Sequence, residues 1–205
     1  MALAWTAPAA RAEGEAAGDF DYYLLSLSWS PTWCALEGRD RGSPQCAPAR
    51  DFGWVLHGLW PQNERGYPSY CQGAARNPPR ALTEGMADIM GAPGVAWYQW
   101  KKHGRCAGVT AEVYFDTARQ AYGAVARPQI LRDLDRDVRL PASVIEEAFL
   151  EANPDLGPDM ISVTCKAGRI QEVRICLTRE LAPRRCGADV IRDCTARDAL
   201  FEAID

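Results

Sequence analysis

The sequence predicts one α+β domain: a central, mainly antiparallel β-sheet flanked by helices and tied by disulfides. Three observations carry that expectation. An apolar run of strand length lies near the start, helical periodicity fills the middle, and an alternating pattern turns back on itself in the last third. With 205 residues and 47% hydrophobic content, the chain can bury one core but is short for two. Residues 19–205 are therefore read as a single domain.

Residues 1–18 are read as a leader. They are rich in Ala, and Ala10, Arg11 and Ala12 form an A-x-A-like cleavage site behind a short, weakly apolar run, without a basic segment in front. The tail of an export signal and a disordered extension fit this composition equally. No stretch of about 20 apolar residues occurs, so no membrane span is expected.

From Tyr22 to Trp29 the run YYLLSLSW reads as a core strand that Pro31 ends. Pro31 to Arg50 carries Pro, Gly and Ser without periodicity and reads as a surface loop. A second apolar run, Phe52 to Leu56, leads into His57-Gly58-Leu59-Trp60-Pro61, which puts His57 at the end of a strand. Residues 62–81 are again loop-like. Thr83 is expected to cap a helical segment that Pro93 interrupts, and Trp97 to His103 to run as a helix up to Gly104. Lys101, Lys102 and His103 then occupy a last turn, where cations complement the helix dipole. Thr110 caps a helix with Tyr114, Ala118, Ala121, Tyr122 and Val125 on one face, stopping before Pro128. Ser143 and Glu146 form a capping box for a helix ending near Pro154. Ile161, Val163 and Cys165 alternate, Ala167-Gly168 turns, and Ile170, Val173, Ile175 and Leu177 resume with an irregularity near Gln171, which makes a β-hairpin.

The net charge of −4 argues against a protein that coats nucleic acid through a broad basic surface, and leaves room for a local phosphate site. Eight cysteines, at 34, 46, 71, 106, 165, 176, 186 and 194, are spread along the domain. Zinc is the alternative to disulfides. Paired CxxC spacings are absent and two distant histidines make a poor ligand set, so four disulfides and an oxidising, secreted or periplasmic location are expected. The connectivity stays open on the sequence alone.

Only two histidines are present, each in a Trp-, Gly- and Lys-rich setting. On a helix, Tyr98, Lys102, Gln99 and His103 fall at about 0, 40, 100 and 140°, with Trp97, Trp100 and Lys101 on the other side. The arc thus joins a phenol, an ammonium, an amide and an imidazole, with two indoles free to pack behind it. A half-buried helix end with solvated cations fits the same arc. RNA supplies its own nucleophile, the 2′-hydroxyl, so its cleavage needs a base for that proton, an acid for the departing 5′-oxygen and a cation on the phosphoryl oxygens. Imidazoles, with a pKa of about 6.5, serve in either role. No carboxylate–histidine cluster with metal-ligand spacing appears, and no metal or cofactor is expected.

These residues resemble the ribonuclease T2 family of secreted endoribonucleases. His57-Gly58-Leu59-Trp60-Pro61 matches its first active-site segment. Trp100, Lys102, His103, Gly104 and Cys106 match the second, usually written HEWxKHGxC. The cysteine pattern and late hairpin extend the likeness over most of Asp19 to Cys194. The resemblance implies His57 as general acid and His103 as general base of the first step, with Lys102 stabilising the phosphorane-like charge. Trp60 is then either a stacking platform for a base or a core tryptophan beside a conformationally special Gly58; Tyr98 and Gln62 are further substrate contacts. Trp54 is left to the core. The resemblance also implies disulfides Cys34–Cys46, Cys71–Cys106, Cys165–Cys194 and Cys176–Cys186. Two positions depart from the family: Tyr98 and Gln99 stand where His and Glu are usual. Gln99 cannot ionise but can hydrogen-bond a phosphoryl oxygen or orient His103, so it is kept in the catalytic set. The expected activity is metal-independent cleavage of single-stranded RNA, with little base preference, through 2′,3′-cyclic to 3′-phosphate ends, by a monomer that leaves DNA intact. The alternative is an impaired member that binds RNA or a protein partner.

Overall fold

The computed structural model describes residues 15–48, 50–73 and 75–204. The cleavage-like Ala10, Arg11 and Ala12 lie outside them. Of the segment read as leader, Ala16 bridges to Gln72 and the Gly18 N–H donates to the Cys106 carbonyl at 2.9 Å.

Strand β1 (Tyr22–Trp29) pairs on one side with β2 (Trp54–Gln62) and on the other with β5 (Arg169–Leu177). β5 also pairs with β4 (Ile161–Lys166), and β6 (Ala199–Phe201) joins it to β3 (Val138–Leu140). All pairings are antiparallel except the single β5–β6 contact. A strand with neighbours on both sides and protein on both faces must be largely apolar, and YYLLSLSW is, apart from Ser26 and Ser28. Leu25, Leu27 and Trp29 sink at zero exposure into the main core, while Tyr22 and Leu24 pack on the opposite face with Cys176, Cys186 and Val190. The β4–β5 hairpin turns through Ala167 (φ 50°) and Gly168 (φ 74°), the two left-handed residues of a type I′ turn. Its irregularity is a bulge: Thr164 pairs with Glu172 but Cys165 with Ile170, so Gln171 is the extra residue.

Helices α1 (Ser30–Trp33), α2 (Arg80–Gly85), α3 (Ala87–Met90), α4 (Pro93–Lys102), α5 (Ala111–Ala124), α6 (Gln129–Arg132) and α7 (Ala142–Ala152) complete the α+β architecture. Several differ from the sequence reading. Pro31 ends β1 by opening α1 in its first turn, where its missing N–H is harmless. Residues 31–50 are accordingly not all loop, since a π-helical turn, Cys34–Gly38, and a 3-10 turn, Pro44–Cys46, follow. Thr83 lies inside α2, where its hydroxyl donates to the Arg80 carbonyl. Pro93 starts α4 instead of interrupting a helix. Pro141 is the N-cap of α7, which moves Ser143 inside the helix and leaves the capping box unmade. Thr110 does cap α5, its side chain accepting from the Val113 N–H.

The structure joins Cys34 to Cys46, Cys71 to Cys106, Cys165 to Cys194 and Cys176 to Cys186, the same four pairs that the resemblance implies. Cys71–Cys106 spans 35 residues and ties the loop after β2 to the turn after α4. Replacing both cysteines by alanine is expected to destabilise the fold by about 4 kcal/mol through restored unfolded-chain entropy, read from denaturant midpoints.

Candidate active site

The β1–β2 register runs from Tyr22 opposite Gln62 to Ser26 opposite Gly58, then jumps to Leu27 opposite Leu56. His57 is thus the extra residue of a bulge in mid-strand, not the end of a strand. Leu56 and Leu59 are three apart yet both sit at zero exposure in the core, which strict alternation forbids. The bulge absorbs the odd residue and turns His57 and Gly58 to one side. β2 is an edge strand, so Pro61, which cannot donate to a ladder, is tolerated there.

Helix α4 packs through the stripe Ala96, Gln99, Trp100 and then His103, its C-cap, all buried. Trp100 lies against Tyr114 and Phe115. Trp97, expected behind the arc with Trp100, falls about 100° off that stripe and is 37% exposed.

His57, Trp60 and Gln62 of β2 meet Tyr98, Gln99, Lys102 and His103 around one cavity of about 470 Å³. All seven side chains singled out from the sequence for catalysis or substrate contact therefore line it. Trp60 stands between the imidazoles: its ring stacks on His103 at 5.1 Å and 27°, and meets His57 edge-on at 5.2 Å and 78°. The Trp60 Nε1–H donates to Gln99 Oε1 at 2.7 Å, so Gln99 anchors the indole. Gly58 is needed for space rather than for an unusual φ. A Cβ there would overlap Trp60 Nε1 and lie 2.7 Å from Gln99 Oε1.

A sequence profile of the Ribonuclease T2 family matches residues 20–186, most of the chain and both histidine segments. The chain belongs to the ribonuclease T2 family. Among curated family relatives, a "Ribonuclease" of Aeromonas hydrophila is 42% identical over 114 residues, covering 56% of this chain and 50% of that protein. A "Probable ribonuclease" of Haemophilus influenzae is 35% identical over 129 residues, covering 57% and 47%. The chain spans about half the length of these two relatives. In three dimensions it resembles an "RNase-related protein from Calystegia sepium", with a TM-score of 0.71 and 19% identity over 91% of this chain and 98% of that one. That likeness is one of fold.

Three side chains at this site escaped the sequence reading. Glu172 Oε1 lies 2.6 Å from His57 Nδ1, Arg174 lines the cavity and grips Glu172 through two nitrogens at 2.9 and 2.7 Å, and Tyr67 packs 5.8 Å from the His103 ring. The one available signal for Glu172 is that it is the single acidic residue of β5, just after the irregularity at Gln171.

The two imidazoles sit in opposite settings. His57 faces a carboxylate. His103 is buried, next to Lys102 and near His57, and its Nδ1 has no hydrogen-bond partner among the described residues. Desolvation first, then Lys102 and His57, lower its pKa from 6.5 to about 3. For Glu172 burial pushes upward, but the His57 hydrogen bond and charge, with Arg174, outweigh it and hold the carboxyl at about 2.

Both depressed values predict lost stability in acid. The unfolded chain takes up a proton at His103 below about 6.5 that the folded chain refuses until about 3, so this contribution is full above 6.5 and lost as pH falls toward 3. Glu172 adds stability present above 4.5 and lost as pH falls toward 2. The expected result is a Tm that declines steadily as pH falls below about 6.5. The segment between pH 6.5 and 4.5, where His103 alone contributes, should flatten in His103→Ala, and an equally steep decline there in that variant would refute the assignment.

Proposed function

We propose that the protein is an endoribonuclease that cleaves single-stranded RNA without a metal. The observation that carries this reading is the pair of imidazoles held on one indole in a single cavity, one against a carboxylate and the other stripped of water beside Lys102. Opposed environments are what an acid and a base require in order to hold opposite protonation states at one pH.

In the first step, neutral His103 takes the 2′-hydroxyl proton as the 2′-oxygen attacks phosphorus. The bond from phosphorus to the 5′-oxygen breaks as protonated His57 delivers its proton to that oxygen, leaving a 2′,3′-cyclic phosphate. Lys102 balances the charge gathering on the non-bridging oxygens. In the second step the roles exchange: His57 takes a proton from water as the water oxygen attacks phosphorus, the bond from phosphorus to the 2′-oxygen breaks, and His103 returns its proton to that oxygen, leaving a 3′-phosphate. DNA, lacking the 2′-hydroxyl, is not a substrate. Trp60 and Gln62 form the wall of the cavity. The half-exposed rings of Tyr67 and Tyr98 at its mouth offer faces on which any base can stack, consistent with low base preference. Four disulfides favour action in an oxidising compartment, outside the cell or in a periplasm.

The test is incubation of the oxidised protein with single-stranded RNA and a matched DNA in EDTA. Cleavage of RNA alone, with cyclic phosphate ends appearing before 3′-phosphates, is expected. RNA bound by folded protein yet left intact would replace this reading with that of a binder, with Tyr98 and Gln99 marking the loss of turnover.

A further inference from the structure

The route by which Glu172 reaches His57 is unusual. The two residues are not on adjacent strands: Glu172 is on β5, His57 on β2, and β1 runs between them. Strand spacing puts β5 and β2 about 10 Å apart, so the contact must pass over the face of β1. The residues of β1 at the crossing are Ser26, opposite Arg174 and Gly58, and Ser28, opposite Glu172 and Val55. They are the two small polar residues in an otherwise large and apolar strand, and they leave the channel through which Glu172 reaches across. Ser28 donates a weak hydrogen bond, 3.4 Å, to the carboxylate oxygen that meets His57. The opposite carboxylate oxygen is taken by Arg174. Both oxygens are therefore held, and the side chain is 3% exposed.

A buried, doubly anchored carboxylate aimed at one nitrogen of an imidazole has a specific chemical consequence. The carboxylate only accepts, so Nδ1 of His57 carries a proton in both charge states. Nε2 is then the nitrogen that exchanges a proton, and it belongs to a ring whose rotation is fixed. Among the described residues this is the one carboxylate in ion-pairing distance of either histidine.

We infer that Glu172 is the positioning residue of this site. It sets the tautomer and ring orientation of His57, while Arg174 holds Glu172 aimed. Ser26 and Ser28 serve as the gap in β1 that lets a β5 carboxylate act on a β2 histidine. The inference rests on the proposed acid role of His57, but its geometric half can be tested without turnover.

Two measurements test it. The first is NMR of the imidazole nitrogens in the wild-type protein. It should report neutral His57 with the proton on Nδ1 and a bare Nε2; the opposite tautomer overturns the inference whether or not the protein cleaves RNA. The second compares Glu172→Gln and Glu172→Asp in RNA cleavage. Glu172→Gln should lower kcat by about 10²-fold, the scale of effect expected when a reacting group is misplaced by an ångström, with KM within about twofold of wild type. Glu172→Asp, charged but too short to hold 2.6 Å, should recover part of that loss. Wild-type kcat in folded Glu172→Gln, or loss confined to KM, would show that Glu172 is merely structural. If wild-type protein leaves RNA intact while His57 shows the expected tautomer, the reading of function fails and the assignment of Glu172 as the group orienting His57 stands.

Discussion

His103→Ala and His57→Ala are each expected to lower kcat for RNA cleavage by about 10²–10⁴-fold, the usual contribution of a positioned general acid or base. Neither should remove the ability to bind RNA. The double variant should be little worse than either single one, because an acid and a base that move protons in one transition state act as a unit. The acidic limb of kcat/KM should separate the pair. A base held neutral down to about pH 3 keeps the free enzyme competent well below the ordinary histidine range, so that limb should lie near pH 3–4 and vanish in His103→Ala. Rates measured across pH, beside Tm for each variant, decide the matter. If both variants retained near-wild-type rates while folded, acid–base catalysis by these imidazoles would be wrong, whatever the cavity looks like.

Much of this arrangement is legible in the chain, for identifiable reasons. β1 is read to the residue because a central strand buried on both faces is a largely apolar run, interrupted here only by Ser26 and Ser28. The hairpin is read because Ala167-Gly168 separates two alternating stretches, and its bulge shows as the break in period at Gln171. The arc of Tyr98, Gln99, Lys102 and His103 follows from helical geometry alone and is found around one cavity. The failures have two causes. Some are local, as where Pro141, two residues before Ser143, takes the cap of α7; others depend on contacts remote in sequence, since nothing local tells Trp97 that the buried stripe of α4 runs through Ala96 and Trp100. Glu172 is the clearest example, being 115 residues from the histidine it touches and two strands away. The bulge at His57 was available in principle, because Leu56 and Leu59 cannot both face the core in regular alternation. Reading the run before His57 as a complete strand hid it.

That bulge underlies the second large effect: Gly58→Ala should lower kcat by about 10²-fold while leaving the protein folded. Gly58 is not among the residues at positive φ, so alanine suits the backbone, and in open space the change would stabilise by about 0.4–1 kcal/mol. Space is what is missing. The added methyl would overlap Trp60 Nε1 and approach Gln99 Oε1 to 2.7 Å, and these are the two atoms whose hydrogen bond holds the indole. Trp60 must shift, and with it the surface on which His103 stacks and against which His57 rests. Overpacking of this kind costs about 1–3 kcal/mol in stability, small beside the loss of alignment. Gly123→Ala in α5, where a new methyl meets nothing within 4 Å, is the control and should be neutral or stabilising with unchanged kcat. A Gly58→Ala protein with wild-type kcat would mean that the Trp60–Gln99 contact does not position the imidazoles. Lost kcat with an intact fold would mean that the invariable requirement at this bulge is room for one indole between two histidines.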